Sequence, residues 1–164
     1  MFDVSLANGE EYRESETYRA GNRAVIAQTP WGKLGMTICY DVRFSGLFND
    51  LASAGATVIA VPSAFTWLTG SAHWEVLLRA RAIETGCWIL AAAQCGKHAG
   101  GRQTYGHSLI VNPWGKIIAQ AGNYPEIIYG DIDQQQVLDA RNAIPSLTSR
   151  RRFNSAKPVN LEDE

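Results

Sequence analysis

The sequence predicts an α/β domain built on a mixed β-sheet, and three observations carry that expectation. Short β-branched apolar runs alternate with amphipathic stretches of helical length between residues 57 and 93. The turn Pro-Trp-Gly occurs twice, as Pro30-Trp31-Gly32 and Pro113-Trp114-Gly115, each time between two apolar runs that can pair as a hairpin. Strand, helix, strand, helix, strand, followed by consecutive strands, is the order of a sheet that mixes parallel and antiparallel pairs and carries helices on one face.

The elements follow in order. The stretch through Asn22 is polar and rich in Glu and Tyr, and reads as a loop or an irregular edge. Val25-Ile26-Ala27-Gln28 and the run from Lys33 to Cys39 flank the first turn and form the first hairpin. In residues 45–54, Leu47, Phe48 and Leu51 share a helical face, and Gly55 is a natural stop. Residues 57–62 (TVIAVP) read as a buried strand. Residues 72–85 read as a second helix that buries Val76, Leu77, Ala80 and Ile83, with Gly86 closing it. Residues 87–93 (CWILAAA) make another buried strand. Leu109-Ile110-Val111-Asn112 and Lys116-Ile117-Ile118-Ala119 form the second hairpin, and residues 126–132 (EIIYGDI) a final strand. Asp133 is placed to cap a helix over QQQVLDARNA, which Pro145 ends.

Composition narrows the function classes. With 164 residues, 46% hydrophobic and 19% charged, the chain has the balance of one soluble globular domain. A formal net charge of -1 gives no pull toward nucleic acid or an anionic membrane, and no apolar run is long enough to span a bilayer. The first residues have neither a basic nor an apolar segment of the signal-peptide kind. Cys39, Cys87 and Cys95 include no C-x-x-C pair, and His73, His98 and His107 are not spaced as metal ligands. A reducing cytoplasm, without a disulfide framework or a zinc site, is the expectation.

Cys39 stands where the first hairpin ends and a helix is about to begin. On residue type alone it is a buried structural cysteine. A thiol on a sharp turn from strand to helix can also meet a substrate carbonyl, with backbone N–H groups at hand for an oxyanion. Ile38-Cys39-Tyr40-Asp41-Val42-Arg43-Phe44 closely resembles the nucleophile motif of the nitrilase (carbon–nitrogen hydrolase) superfamily, and in particular of its Nit branch. Pro62-Ser63-Ala64-Phe65, Gly70, the run from Ala72 to Glu84, Tyr105-Gly106-His107-Ser108 and Asn112-Pro113-Trp114-Gly115 continue the resemblance in order. It spans nearly everything from Phe2 to Phe153.

The resemblance implies the carboxy-terminal part of a four-layer α-β-β-α sandwich, with residues 1–153 as a partial domain and 154–164 as a polar tail. It also implies a Glu–Lys–Cys mechanism. The thiolate of Cys39 attacks an amide carbonyl, ammonia leaves, and water hydrolyses the thioester, with no metal or organic cofactor needed. In that branch the Lys precedes a segment similar to the Phe2-Asp3 opening here, so it and the first Glu are expected upstream of residue 1. Lys33 reads instead as a solvated turn cation. Glu14 occupies the place of the family's additional active-site Glu, although a bare Glu in a polar stretch is ordinarily a solvated charge. Tyr40 and Arg43 fall at substrate-binding or oxyanion positions. The plain reading of Asp41 and Arg43 is an ion pair that supports the turn; the sharper one has the Arg43 fork receive a substrate carboxylate.

Other polar residues invite plainer readings. Glu75 and Arg79 make an ordinary i,i+4 pair. His73 suits a hydrogen-bonding role near a helix start, His98 an exposed loop, and His107 a satisfied supporting position. Cys87 reads as inert, and Cys95 as a residue of a pocket wall at most. The Gly96–Gly101 loop lacks the ending of a phosphate loop. Within the branch, the segments 91–98 and 105–108 look more like the type that acts on deaminated glutathione than the omega-amidase type, which takes 2-oxo-dicarboxylate monoamides. Both substrates are small anionic amides. The family resemblance further implies a homodimer or higher homo-oligomer for the complete enzyme.

Overall fold

A computed structural model describes residues 3–5, 11–151 and 153–155. Strands β1 (Asp3–Ser5) and β2 (Glu11–Arg13) pair antiparallel, so the opening is more ordered than the sequence suggests. A 3-10 turn, Glu14–Glu16, follows. Strands β3 (Val25–Thr29) and β4 (Gly32–Met36) form the first hairpin. Helix α1 (Ser45–Ser53), β5 (Val58–Ala60), helix α2 (Trp67–Thr85) and β6 (Trp88–Ala91) come next. A second small ribbon, β7 (Cys95–Lys97) with β8 (Gln103–Tyr105), precedes the hairpin of β9 (Leu109–Val111) and β10 (Ile117–Gln120), and helix α3 (Gln134–Ala143) follows. Both Pro-Trp-Gly turns place their glycine at positive φ, +126° at Gly32 and +80° at Gly115, where a Cβ would be strained.

The main sheet has six strands in the order β10-β9-β6-β5-β4-β3. Strands β4, β5 and β6 run parallel, and the outer pairs are antiparallel. The sheet is mixed, as expected. Successive residues of each strand face opposite ways. Ile59, Ile89, Leu109 and Val111 point toward α1 and α2, which supply Phe48, Leu51, Trp74 and Leu78 to the larger core cluster. Val58, Trp88 and Ile110 point the other way and meet Val137 of α3. The expectation of helices on one face is therefore corrected. Helix α3 lies under the opposite face at the amino-terminal ends of β5 and β6, where Arg141 donates to the carbonyls of Thr85 and Ala56 and Asp133 accepts from Trp88 Nε1 through its carbonyl.

Two further expectations change. Helix α2 starts five residues earlier than the apolar spacing suggests, capped by the Thr66 side chain, which accepts from Thr69 N. Its buried face is Trp74, Leu78, Arg81, Ala82 and Thr85, while Val76 and Ile83 are 67% and 52% exposed. Residues 126–132 form no strand. Gly130 lies against the side chains of Ile110 and Ile118, so this segment crosses the face of the β9–β10 hairpin instead of extending its edge. Asp133 caps α3 as read from the sequence, its side chain accepting from Gln135 N at 2.8 Å.

Candidate active site at the carboxyl ends of the parallel strands

Parallel strands release their chains at one end of a sheet, and there β4, β5 and β6 deliver Cys39, the 62–65 segment and the 92–95 segment side by side. The connections are backbone hydrogen bonds: Cys39 N to Pro62 O at 2.9 Å, Ser63 N to Ala92 O at 2.8 Å, and Gln94 N to Ser63 O at 2.9 Å. Cys39 opens a 3-10 turn, Cys39–Arg43, and is half-buried with its backbone at φ +48°. A side chain in the left-handed region costs about 1–2 kcal/mol, because Cβ crowds the neighbouring carbonyl. Such a conformation persists only where its surroundings over-determine it.

Those surroundings are visible on each side of the thiol. The Asp41 carboxylate accepts from Ile38 N at 2.9 Å, and Asp41 N returns to Ile38 O at 3.0 Å, closing the turn on itself. Arg81, almost fully buried in α2, donates Nε to Val42 O at 2.8 Å and pairs its NH1 with Glu84 at 2.9 Å. Its guanidinium also sits 5.6 Å from the centre of the Phe48 ring. Sequence reasoning passed over Arg81; an arginine on the apolar side of a helix was the signal that could have found it. Burial pushes the Glu84 carboxyl above its ordinary range, against the pull of Arg81.

The ion pair between Asp41 and Arg43 does not form. Asp41 is committed to the backbone, and Arg43 turns toward rings: its guanidinium carbon lies 5.2 Å from the ring centres of both Tyr40 and Phe65. Arg43 NH1 also lies 3.3 Å from His73 Nδ1. Tyr40 meets Phe44 edge-on at 5.6 Å. Phe65 packs at 4.9 Å on Trp74, whose Nε1 donates to His107 O at 2.8 Å.

His107 is the other residue besides cysteine-bearing position 39 that takes a positive φ without being glycine, at +57° among the described residues. Its Nδ1 is 2.7 Å from Tyr105 O, and its ring stacks on Tyr105 at 4.0 Å. It is a satisfied supporting histidine, as read from the sequence. Gly70 lets this segment close on α2, since a Cβ there would fall 2.3 Å from Tyr105 Cβ. His98, read as exposed, is half-buried, with Nε2 2.6 Å from Thr104 Oγ1. Glu75 and Arg79 form the expected i,i+4 pair at 3.2 Å.

Glu14 is half-buried in the 3-10 turn after β2, within the two-stranded unit and outside the main sheet. Lys33 lies at the start of β4, the end remote from Cys39, and donates to Ala54 O at 3.3 Å. The polar tail falls largely outside the described residues. All three cysteines are free thiols. No helix among the described residues is long and apolar enough to cross a membrane.

The architecture defines the class first: a mixed α/β sheet that gathers a candidate site at the carboxyl ends of its parallel strands. The model of the carbon–nitrogen hydrolase family matches residues 1–142. The chain belongs to the carbon–nitrogen hydrolase family. It is 49% identical over 159 residues to the deaminated glutathione amidase of Yersinia enterocolitica, covering 96% of this chain and 56% of that protein. The chain thus spans about half the length of the curated relatives it matches. Its fold superposes on the NitFhit protein of C. elegans with a TM-score of 0.85 and 44% identity, covering 92% of this chain and 37% of that one. It is also similar to a Glu-to-Gln variant of the amidase from Nesterenkonia sp. AN1, with a TM-score of 0.67, 28% identity, and coverage of 80% and 52%. That structure shows the Michael addition of acrylamide at the active site cysteine.

Proposed function

We propose that this chain carries the thiol half of an amidase for small anionic amides, of the kind that acts on deaminated glutathione. The observation that carries the reading is Cys39 itself: a half-buried thiol held at positive φ, where parallel strands end and a helix is about to start. The Sγ of Cys39 attacks the amide carbonyl carbon, the carbonyl π electrons move to oxygen, and a tetrahedral oxyanion forms. Collapse of that oxyanion breaks the C–N bond, the nitrogen takes the proton that the thiol gave up and leaves as an amine (the amino end of the peptide for deaminated glutathione, ammonia for a primary amide), and a thioester remains. Water then adds to the thioester and returns the thiol with a carboxylic acid.

Residues of this chain have defined parts in the proposal. Asp41 and Arg81 hold the turn that presents the thiol. Tyr40 and Arg43 line the approach, and the planar fork of Arg43 receives a substrate carboxylate in bidentate fashion. Glu14 is the additional active-site carboxylate. Lys33 is bonded at the wrong end of β4 to help. By the family resemblance, the oxyanion-stabilising Lys and the principal Glu come from polypeptide preceding the Phe2-Asp3 segment. The names borne by relatives 49% and 45% identical to this chain over 159 and 152 aligned residues support the substrate class.

Amide hydrolysis tests the reading, followed as peptide amine released from deaminated glutathione and as ammonia released from a short 2-oxo-dicarboxylate monoamide. Activity is expected from a polypeptide extended to the relatives' length, with the longer substrate preferred, and not from residues 1–164 alone. Cys39→Ala should abolish it. Near-normal turnover by Cys39→Ala would end the thiol mechanism, and equal rates with and without the extension would show that a base within this chain suffices. A preference for the short monoamide would move the assignment to an omega-amidase.

A further inference from the structure

We propose that His73 is a positioning residue for substrate recognition, whose Nδ1 fixes the plane of the Arg43 guanidinium so that its free edge meets a carboxylate. The inference rests on reading Arg43 as the carboxylate receptor and adds the residue that aims it. A guanidinium has only donors, so the 3.3 Å contact between Arg43 NH1 and His73 Nδ1 requires an unprotonated Nδ1, with the ring proton on Nε2. Two rings, Tyr40 and Phe65, hold the charge between them at 5.2 Å each. Cation–π attraction fixes where the charge sits, but it is weakly directional about the normal to the guanidinium plane. A fork must be set in that rotation to bind bidentately. His73 supplies this constraint from α2, an element separate from the turn that carries Arg43.

The packing fixes His73 in turn. Its neighbour Trp74 is buried, donates to His107 O and packs on Phe65, one of the two rings around Arg43. Helix α2 therefore brings His73 to the guanidinium by the same side chain that sets the Phe65 ring. His73 is itself exposed, so replacing it removes little core. Asp41, the carboxylate nearest in sequence, is already bonded to Ile38 N, and Glu75, two residues along α2, is paired with Arg79.

The test is steady-state kinetics of the catalytically active enzyme with an anionic 2-oxo amide and a neutral amide of similar size. His73→Ala should raise KM for the anionic amide about three- to tenfold, leave kcat nearly unchanged, and leave both constants alone for the neutral amide. His73→Asn, whose Oδ1 offers an acceptor where Nδ1 stood, should restore most of the affinity. Arg43→Lys is the control that separates the two layers. If it raises KM for the anionic amide selectively while His73→Ala does not, the positioning role is overturned and Arg43 keeps its own. If Arg43→Lys affects both amides equally, the carboxylate reading fails and the role of His73 falls with it. An equal loss in His73→Ala and His73→Asn would also overturn it, because the acceptor would then be irrelevant.

Discussion

Cys39 and Cys87 are the same side chain in opposite settings, at opposite ends of the parallel strands. Cys87 precedes β6, is fully buried, and is bonded on every side: its Sγ donates to Ala56 O at 3.2 Å and receives Arg141 NH2 at 3.1 Å. Burial pushes its thiol above the ordinary range, against the pulls of Thr85 and Arg141. Cys39 follows β4, is half-buried, and has a strained backbone held by polar contacts from Pro62, and through its turn by Asp41 and Arg81. At Cys87 the structure spends hydrogen bonds on keeping a thiol neutral and closed in. At Cys39 it spends them on the backbone of a residue that is only half-buried. The contrast sets the candidate site at the end where three parallel strands let go, and away from the end that α3 seals.

The sharpest way to break this contrast is to exchange the two thiols' fates. Cys39→Ala should lower amide turnover by at least about a thousandfold in the active enzyme with little change in thermal midpoint, as for loss of a covalent nucleophile. Next in size is Gly70→Ala. Alanine brings about 1 kcal/mol of helix propensity. Against that stands a 2.3 Å clash with Tyr105 Cβ, within the aromatic segment that backs the site. Overpacking wins, and denaturant titration should show a net loss of about 2 kcal/mol.

Cys87→Ala should cost about 1 kcal/mol of stability and leave turnover unchanged. Its pH dependence carries a sign. A thiol raised in the folded state contributes stability that is fully present below the unfolded thiol's pKa, near 8.5, and is lost as pH rises through the folded value. The parent protein should therefore lose stability more steeply in that alkaline window than Cys87→Ala, which unfolding curves at a series of pH values would read. The smallest effect belongs to Val76→Gln, a change on the exposed side of α2 that should move stability by no more than about 0.5 kcal/mol. A large loss there would mean that Val76 is covered by something.

Much of this plan is written locally and could be read from the chain. Both hairpins announce themselves by Pro-Trp-Gly, α1 by Phe48 and Leu51, and α3 by its Asp133 cap, because each depends on residues a few positions apart. The face of α2 was misread for the opposite reason. Val76, Leu77, Ala80 and Ile83 have helical spacing as good as that of Trp74, Leu78 and Ala82, and only the third dimension decides which row meets the sheet. Trp74 wins because its indole N–H finds His107 O across the chain. Residues 126–132 misled in the same way: their Ile content suits a strand, but they cross a sheet face where no ladder partner waits.

The candidate site divides similarly. Cys39, Tyr40, Asp41 and Arg43 stand together in sequence and come together in space, so the motif marks them. Their arrangement was not legible. The expected Asp41–Arg43 ion pair gives way to a backbone bond for one and an aromatic clamp with His73 for the other. Arg81 and His73 come from α2, some thirty to forty residues further along the chain. No local pattern links them to the thiol. Glu14 is expected in the site only from the family resemblance, and its two-stranded unit lies outside the main sheet.

In the proposed reaction the sulfur of Cys39 becomes covalently acylated during turnover. The most direct measurement is acid quenching of the active enzyme during hydrolysis of a 2-oxo amide, followed by peptide mass spectrometry. The acyl mass is expected on the peptide carrying Cys39, and none on those carrying Cys87 or Cys95. An acyl group trapped on another residue, in an enzyme whose Cys39→Ala variant still hydrolyses the amide, would contradict it.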